Sequence, residues 1–336
     1  MKINCYIATM KRYLIIVFAI MLAAGCKPTA PLLPNVSGKA GEVLCVIEKA
    51  DWDGALGEAV RGILEDEYPF LPVVEYRYTV THVTHGGFGD MFKVHRNIVF
   101  FDINPQNTRT GVQLIQDKWA KPQCVLLVSA WTAEQADSLV RAKSDFIVGA
   151  VEQAERDRVI ANTRRYENAD VYPKVAKVFG GSVHVPSGYK LRKISRDFAW
   201  ISYDRQYITQ GIFVYRLPVE GDDFDNATII RRRDAVLKEN VPGMFEGTYM
   251  ITGDYWAPQT QFLKYKDMNF AETHGMWDVQ GDFMGGPFVS HSFYSPDGSE
   301  IIVAEAWVYA PKYNKRQLLR QVESLLYTWE WASADE

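Results

Sequence analysis

Apolar residues are distributed in two regimes along the chain. Up to about residue 180, continuous apolar runs alternate with stripes at helical spacing; beyond it, strand-length segments follow one another with turn residues between. The first run, Glu42–Glu48 (EVLCVIE), has the pattern of a strand covered on both faces. Asp51 can then cap a helix with Trp52, Leu56, Ala59, Val60, Ile63 and Leu64 along one side, ending before Pro69. Val73–Val83, Asn97–Ile103 and Cys124–Trp131 carry β-formers and predict three further strands, with Gly86, Gly87 and Gly89 breaking the first. Thr132 and Gln135 form a capping box that opens a long amphipathic helix through Leu139, Val140, Ile147, Val151 and Ala154. Ala169–Phe179 is a second helical stretch, stopped by Gly180-Gly181.

The later segments predict strands at Val183–Ile194, Phe198–Tyr203 and Ile208–Leu217, a helix from Asp225 to Lys238, and strands at Phe245–Ile251, Gln259–Lys266, Pro287–Tyr294 and Glu300–Tyr309. Ser295-Pro296-Asp297-Gly298 reads as a hairpin turn between the last two. Pro311 opens a terminal helix with Leu318, Leu319, Val322, Leu325, Leu326 and Trp329 on one side. The expectation is an α+β protein of two packed subdomains. Residues 43–181 would form a mixed sheet with helices, and residues 182–331 a mainly antiparallel sheet with helices.

The N-terminus carries a different signal. Lys11 and Arg12 precede the apolar stretch Tyr13–Ala24, which suits a signal peptide and falls short of the ~20 residues needed to span a bilayer. Ala23, Ala24 and Gly25 then meet Cys26, in a pattern that resembles a bacterial lipobox, with Leu22 one position earlier than usual. That resemblance implies that residues 1–25 are removed and Cys26 is lipidated. Residues 26–42, with their Pro, Gly and Ser content, read as a tether. Met10 offers a second start with a complete basic region of its own.

Loss of Lys2, Lys11 and Arg12 with the leader moves the net charge from −4 to −7. Such a body lacks the cationic surface that nucleic acid or anionic lipid phosphates require. Cys45 and Cys124 both fall within predicted strands and are expected as buried thiols; a disulfide needs the strands to be neighbours in register.

Familiar catalytic motifs are missing: no G-x-S-x-G, H-E-x-x-H, Walker A or EF-hand pattern occurs, and nothing points to a metal or other cofactor. His82 and His85 lie three apart in a β-branched setting and read as ordinary polar side chains. His274 and His291 bracket Asp278 and Asp282, a set that could serve as a general-base site if folding converged it. Arg231-Arg232-Arg233 fan around a helix and read as solvated, salt-bridged side chains. Trp277, Phe283 and Phe288 crowd the same Gly-rich region as the Asp/His set and are candidates for a ligand platform.

Three stretches, FKVHRNIVF (Phe92–Phe100), GMWDVQGDFMGGPFVSHS (Gly275–Ser292) and WVYAP (Trp307–Pro311), resemble the Bacteroidetes lipoprotein family catalogued as domain of unknown function 4837. The resemblance extends from about Pro34 to the terminal helix and implies a lipid-anchored envelope protein of a Gram-negative bacterium. It transfers no catalytic residue. Lys27-Pro28-Thr29-Ala30 lacks the acidic run associated with surface export in such bacteria, which places the protein on the periplasmic face, at the outer membrane. The expected role is a binding module for an envelope protein or glycan. The alternative is a cell-wall or glycan hydrolase using His274, Asp278, Asp282 and His291.

Overall fold

The computed structural model describes residues 32–332, so the signal segment and Cys26 lie outside the described residues. The chain folds as α+β, in two subdomains. The first is a five-stranded sheet in the order β2-β1-β3-β5-β4, built from β1 (Glu42–Val46), β2 (Thr79–Val83), β3 (Asn97–Ile103), β4 (Gly111–Gln116) and β5 (Cys124–Ala130). All pair in parallel except β4, which runs antiparallel along the edge against β5. Val43, Cys45 and Ile47 face a core closed by helices α1 (Ala55–Leu64), α2 (Ala133–Ala142) and α3 (Ser144–Arg165). The opposite face, with Val46, Ile98 and Val125, is covered by Phe88, Phe100 and Trp119. Burial on both faces is what the unbroken apolar run of β1 predicts. Asn35 and Ser37 bridge to Lys121 and His95, fastening the start of the described chain to this subdomain.

Three local expectations change. Val73 and Val74 lie in an exposed loop, and the strand begins only at Thr79. The long amphipathic helix is two helices, α2 and α3, separated at Lys143, where the backbone leaves helical angles. Strand β4 (GVQLIQ), short and half-buried at the sheet edge, lies in a stretch assigned no element from sequence.

The second subdomain is an eight-stranded antiparallel sheet running β10-β12-β13-β14-β9-β8-β7, with β11 also paired to β12. Its members are β7 (Lys190–Ile194), β8 (Phe198–Arg205), β9 (Ile208–Pro218), β10 (Tyr249–Thr252), β11 (Gln259–Tyr265), β12 (Met268–Gln280), β13 (Gly285–Tyr294) and β14 (Glu300–Tyr309). One face packs on α4 (Val171–Phe179) and α6 (Arg316–Leu326) through Val175, Ile212, Ala304, Val322 and Leu326. The other packs on α5 (Asn226–Asn240) through Phe213, Leu237, Trp277, Phe288 and Trp307. Asp225 caps α5 by accepting from the Thr228 amide at 3.1 Å. Gly180, at φ 74°, ends α4 in the left-handed conformation that glycine adopts without Cβ strain. A two-stranded ribbon, β6 (Gly181–Ser182) with β15 (Glu330–Trp331), ties the C-terminus back beside it.

Pro186 and Gly188 interrupt the expected strand Val183–Ile194, leaving only β7 at its far end, with the short β6 just before its start. Helix α6 starts at Arg316, five residues after Pro311. The largest departure is β12. The Gly-rich stretch read as a candidate binding segment, Gly275–Ser292, is the end of the thirteen-residue strand β12, a short turn and most of β13, all within the sheet.

Cys45 and Cys124 are free and buried. Strand β3 lies between theirs, which puts them about 10 Å apart in the sheet, beyond disulfide reach. Burial pushes the Cys124 thiol up to about 11.

Two features join the subdomains. Helix α3 is about 33 Å long; its Ile147 and Val151 enter the first core, while Val159 and Ile160 pack against the second. The Glu75 carboxylate, from the first subdomain, accepts from the Lys315 and Arg316 amides at 2.6 and 3.1 Å, so one subdomain caps a helix of the other.

Candidate functional site

The four residues of the Asp/His set do not meet. His274 and Asp278 sit on the same face of β12 but four residues apart, about 13 Å. The two histidines converge instead on Glu272, a buried carboxylate that no local pattern singles out. His274 Nε2 lies 2.9 Å from Glu272 Oε1, which also accepts from Gln261 Nε2 at 2.9 Å. His291 Nε2 lies 3.0 Å from Oε2, which also accepts from the Tyr327 hydroxyl at 2.7 Å.

Burial alone would raise the Glu272 pKa, but the two imidazoles outweigh it and hold the carboxyl well below its ordinary value. His274 is shifted up, because Glu272 overcomes the effect of burial. His291 is shifted down, burial winning over the same carboxylate. Glu323, on α6, is pushed up by its own burial and by the charge of Glu272.

A cavity of about 350 Å³ opens beside this centre, between the subdomains, lined by Phe70, Arg77, Arg156, Glu272, His274 and Glu323 among others. Tyr68 donates to Glu323 at 3.2 Å, and the Arg156 guanidinium stands 3.8 Å over the Tyr327 ring. With four donors on its two oxygens, Glu272 has no free lone pair for a base or nucleophile. The centre is built to lock β11, β12, β13 and the end of α6 together. Its members come from positions 261 to 327, with no local spacing that a motif search could find.

Asp278 and Asp282 lie elsewhere, on a cleft of about 390 Å³ that they share with Pro72, Tyr255, Phe283 and Met284. Each carboxylate accepts from the amide of its successor, Val279 at 2.7 Å and Phe283 at 2.6 Å. Of the expected platform, Phe283 is fully exposed at the β12–β13 turn. Trp277 and Phe288 are core side chains, 2% and 0% exposed; Trp277 still forms part of the cleft wall, whereas Phe288 does not line it, which corrects the reading of Phe288 as a ligand contact. The glycines around them make room for the rings: a Cβ on Gly275 would lie 2.7 Å from Phe288, and one on Gly286 3.0 Å from Trp277. Gly-rich sequence here means aromatic packing over bare backbone.

The arginine triplet is also reassigned. Arg231 is exposed, whereas Arg232 and Arg233 are buried. Arg232 pairs with Asp223 at 2.9 Å, and Arg233 with Glu305 at 2.7 Å. His82 stacks on Trp52 and His85 bonds Glu48, so that pair does not chelate.

Fold and site together define a two-subdomain α+β protein with a saturated polar hub at its junction and an aromatic cleft at one end of its larger sheet. Residues 168–328 match the family model described as a domain of unknown function, DUF4837. Residues 36–164 match a second domain of unknown function, DUF8532, which takes in the stretch Phe92–Phe100. No curated protein matches the sequence. Among solved structures, the Saccharomyces cerevisiae Ran-binding protein Mog1p is similar at 8% identity and a TM-score of 0.32, covering 46% of this chain and 92% of its own. A mutant of protein Mog1 is similar at 9% identity and a TM-score of 0.33, covering 50% and 96%. At these values neither carries an argument.

Proposed function

We propose that the protein is a lipid-anchored envelope protein, held by Cys26 at the periplasmic face of the outer membrane, that binds a partner protein through the aromatic cleft beside Asp278 and Asp282. The observation that supports this most is the display of large apolar side chains that folding does not need. Phe283 is 105% exposed, Tyr255 81% and Trp256 43%. Met244 and Phe245 stand 75% and 60% exposed on a neighbouring turn, whose Thr248 Cγ2 would lie 3.2 Å from a Cβ on Gly281. Exposed apolar clusters of this kind mark interaction surfaces, and aromatic side chains dominate the energetics of such contacts.

Wild-type protein coupled to resin should capture a specific partner from detergent-solubilised envelope. The double variant Phe283→Ala/Tyr255→Ala should lose that capture by tenfold or more, about the effect of one contact worth 1.4 kcal/mol. Its thermal unfolding should stay within about 0.5 kcal/mol of wild type, since both side chains face solvent. Equal capture by the variant would overturn the surface assignment. The anchor has its own test. Cys26→Ala should shift the protein from the membrane fraction to the soluble periplasmic fraction, and a variant still sedimenting with membranes would refute lipidation at that residue.

Among the described residues no helix is long and apolar enough to cross a membrane. The hydrolase alternative draws no support from the geometry, because its four side chains occupy two separate places.

A further inference from the structure

The cleft beside Asp278 and Asp282 is one-sided in charge. Residues 242–258 and 275–287 supply all of its lining except Pro72. They contain four acids, Glu246, Asp254, Asp278 and Asp282, and no Lys, Arg or His. Among the described residues none of the four makes an ion pair. Lys238, on α5, stands 5.2 Å over the Tyr249 ring, opposite Gln280, and pairs with none of them. Elsewhere in the fold sheltered carboxylates are answered: Glu152 by Arg320 at 2.6 Å, Glu155 by Arg96 at 3.0 Å and Asp223 by Arg232 at 2.9 Å.

Asp278 and Asp282 are half-buried. Each uses Oδ1 to accept from the amide of its successor, while Oδ2 takes no hydrogen bond among the described residues. Neither Oδ2 is sealed off; both keep accessible surface, so an occupant of the cleft can reach them. The turn that carries them is fixed, with the Asp282 amide donating to the Val279 carbonyl at 3.1 Å and the Val279 amide to the Met284 carbonyl at 3.0 Å. Tyr255 and Phe283 line the same cleft with exposed rings.

This lining selects the charge of what enters. An anionic group would be repelled. A purely apolar one would take two carboxylates out of water with nothing to answer their charge. A calcium ion takes about six to eight oxygen ligands, and among the described residues no group of three or more His, Cys, Asp or Glu is placed to hold a metal. A cationic side chain suits both features, because carboxylates pair with its charge and aromatic faces attract it within about 6 Å. We propose that the partner protein inserts a basic side chain, an arginine or a lysine, into this cleft, its head held by the Asp278 and Asp282 carboxylates and by the rings of Tyr255 and Phe283; this rests on the cleft being the partner-binding surface. Glu246 and Asp254 extend the negative field beyond the cleft, which favours approach of a basic partner.

The test uses the chain from Cys26 onward with Cys26→Ser to keep it soluble. Tetra-arginine, tetra-lysine and tetra-citrulline amides are titrated at low salt and followed by intrinsic tryptophan fluorescence and calorimetry. At least one cationic peptide should bind saturably and at least tenfold more tightly than the neutral citrulline peptide; the two cationic arms separate a guanidinium from an ammonium preference. Asp278→Asn/Asp282→Asn keeps an oxygen for each backbone amide and should weaken binding about tenfold. Glu58→Gln/Asp145→Asn removes the same charge from exposed positions on α1 and α3 and should bind as wild type does. Absence of saturable binding by both cationic peptides would overturn the proposal, as would equal binding of the citrulline peptide or full affinity in the Asp278/Asp282 variant. Equal weakening by the Glu58/Asp145 variant would overturn it too, since the peptides would then be reading overall charge. Capture from solubilised envelope separates this from the cleft itself. Capture lost in Phe283→Ala/Tyr255→Ala but kept in Asp278→Asn/Asp282→Asn leaves the cleft standing and removes the basic side chain; capture kept in both removes both.

Discussion

Replacing Arg233 with methionine is expected to destabilise the protein by about 3–5 kcal/mol, the cost of leaving a buried charge without its partner. Arg233 and Glu305 are both fully buried between α5 and the sheet. The guanidinium meets the carboxylate with two bonds, 2.7 and 2.9 Å, and lies 3.8 Å over the Phe288 ring. Its third nitrogen, Nη1, donates to the Thr252 hydroxyl at 2.8 Å and to Asp234 at 3.3 Å. Burial raises the Glu305 pKa even with Arg233 present, so loss of the arginine strands a carboxylate already poorly solvated. The double variant Arg233→Met/Glu305→Leu should regain most of the loss, because two apolar side chains remove the desolvation cost along with the pair. Urea unfolding at neutral pH measures both. A single variant within about 1 kcal/mol of wild type would show that the pair is not what holds α5 to the sheet.

Glu272→Gln should cost about 2–4 kcal/mol at neutral pH, since it removes a charge that accepts four hydrogen bonds. The pH dependence of that loss is the sharper result. The folded-state pKa of Glu272 lies well below its ordinary value of 4.5. Its stabilisation is therefore fully present above that ordinary value and disappears as pH falls through the folded one. The stability gap between wild type and Glu272→Gln should stay wide at neutral pH and close on acidification below about 4.5. A gap that does not change with pH would mean that Glu272 is not an ionised acceptor. His274 and His291, shifted in opposite directions, contribute terms of opposite sign.

Elements with a single unambiguous period were legible in the sequence. Asn97–Ile103, Gln259–Tyr265 and Glu300–Tyr309 occupy the positions that their β-formers predict, and Asp225 starts α5 as a cap should. Elements that mix signals were not. Strand β12 contains Glu272 and Thr273 in its buried interior, followed by a half-buried His274 and by Gly275, a composition that argues for a loop until its partners are in place. The packing of β13 on this strand explains the misreading of Phe288. Aromatic residues beside glycines suit an exposed platform as well as a core, and only the neighbouring strands decide between them. Burial of Arg232 and Arg233 was equally hidden, since their carboxylate partners are 9 and 72 residues away. The Glu272 hub escaped for the same reason: its partners come from β11, β12, β13 and the residue after α6, and each looks ordinary alone.

The bridge between Asn35 and Lys121 fixes how far the body can wander from its anchor. Asn35 lies nine residue steps beyond Cys26, which even fully extended span no more than about 32 Å. On the proposed anchor the first subdomain is held close to the bilayer. A partner for the aromatic cleft would then have to reside at the membrane surface or reach down to it. Lengthening the segment between Cys26 and Asn35 would enlarge the shell of partners within range without altering a single contact in the fold.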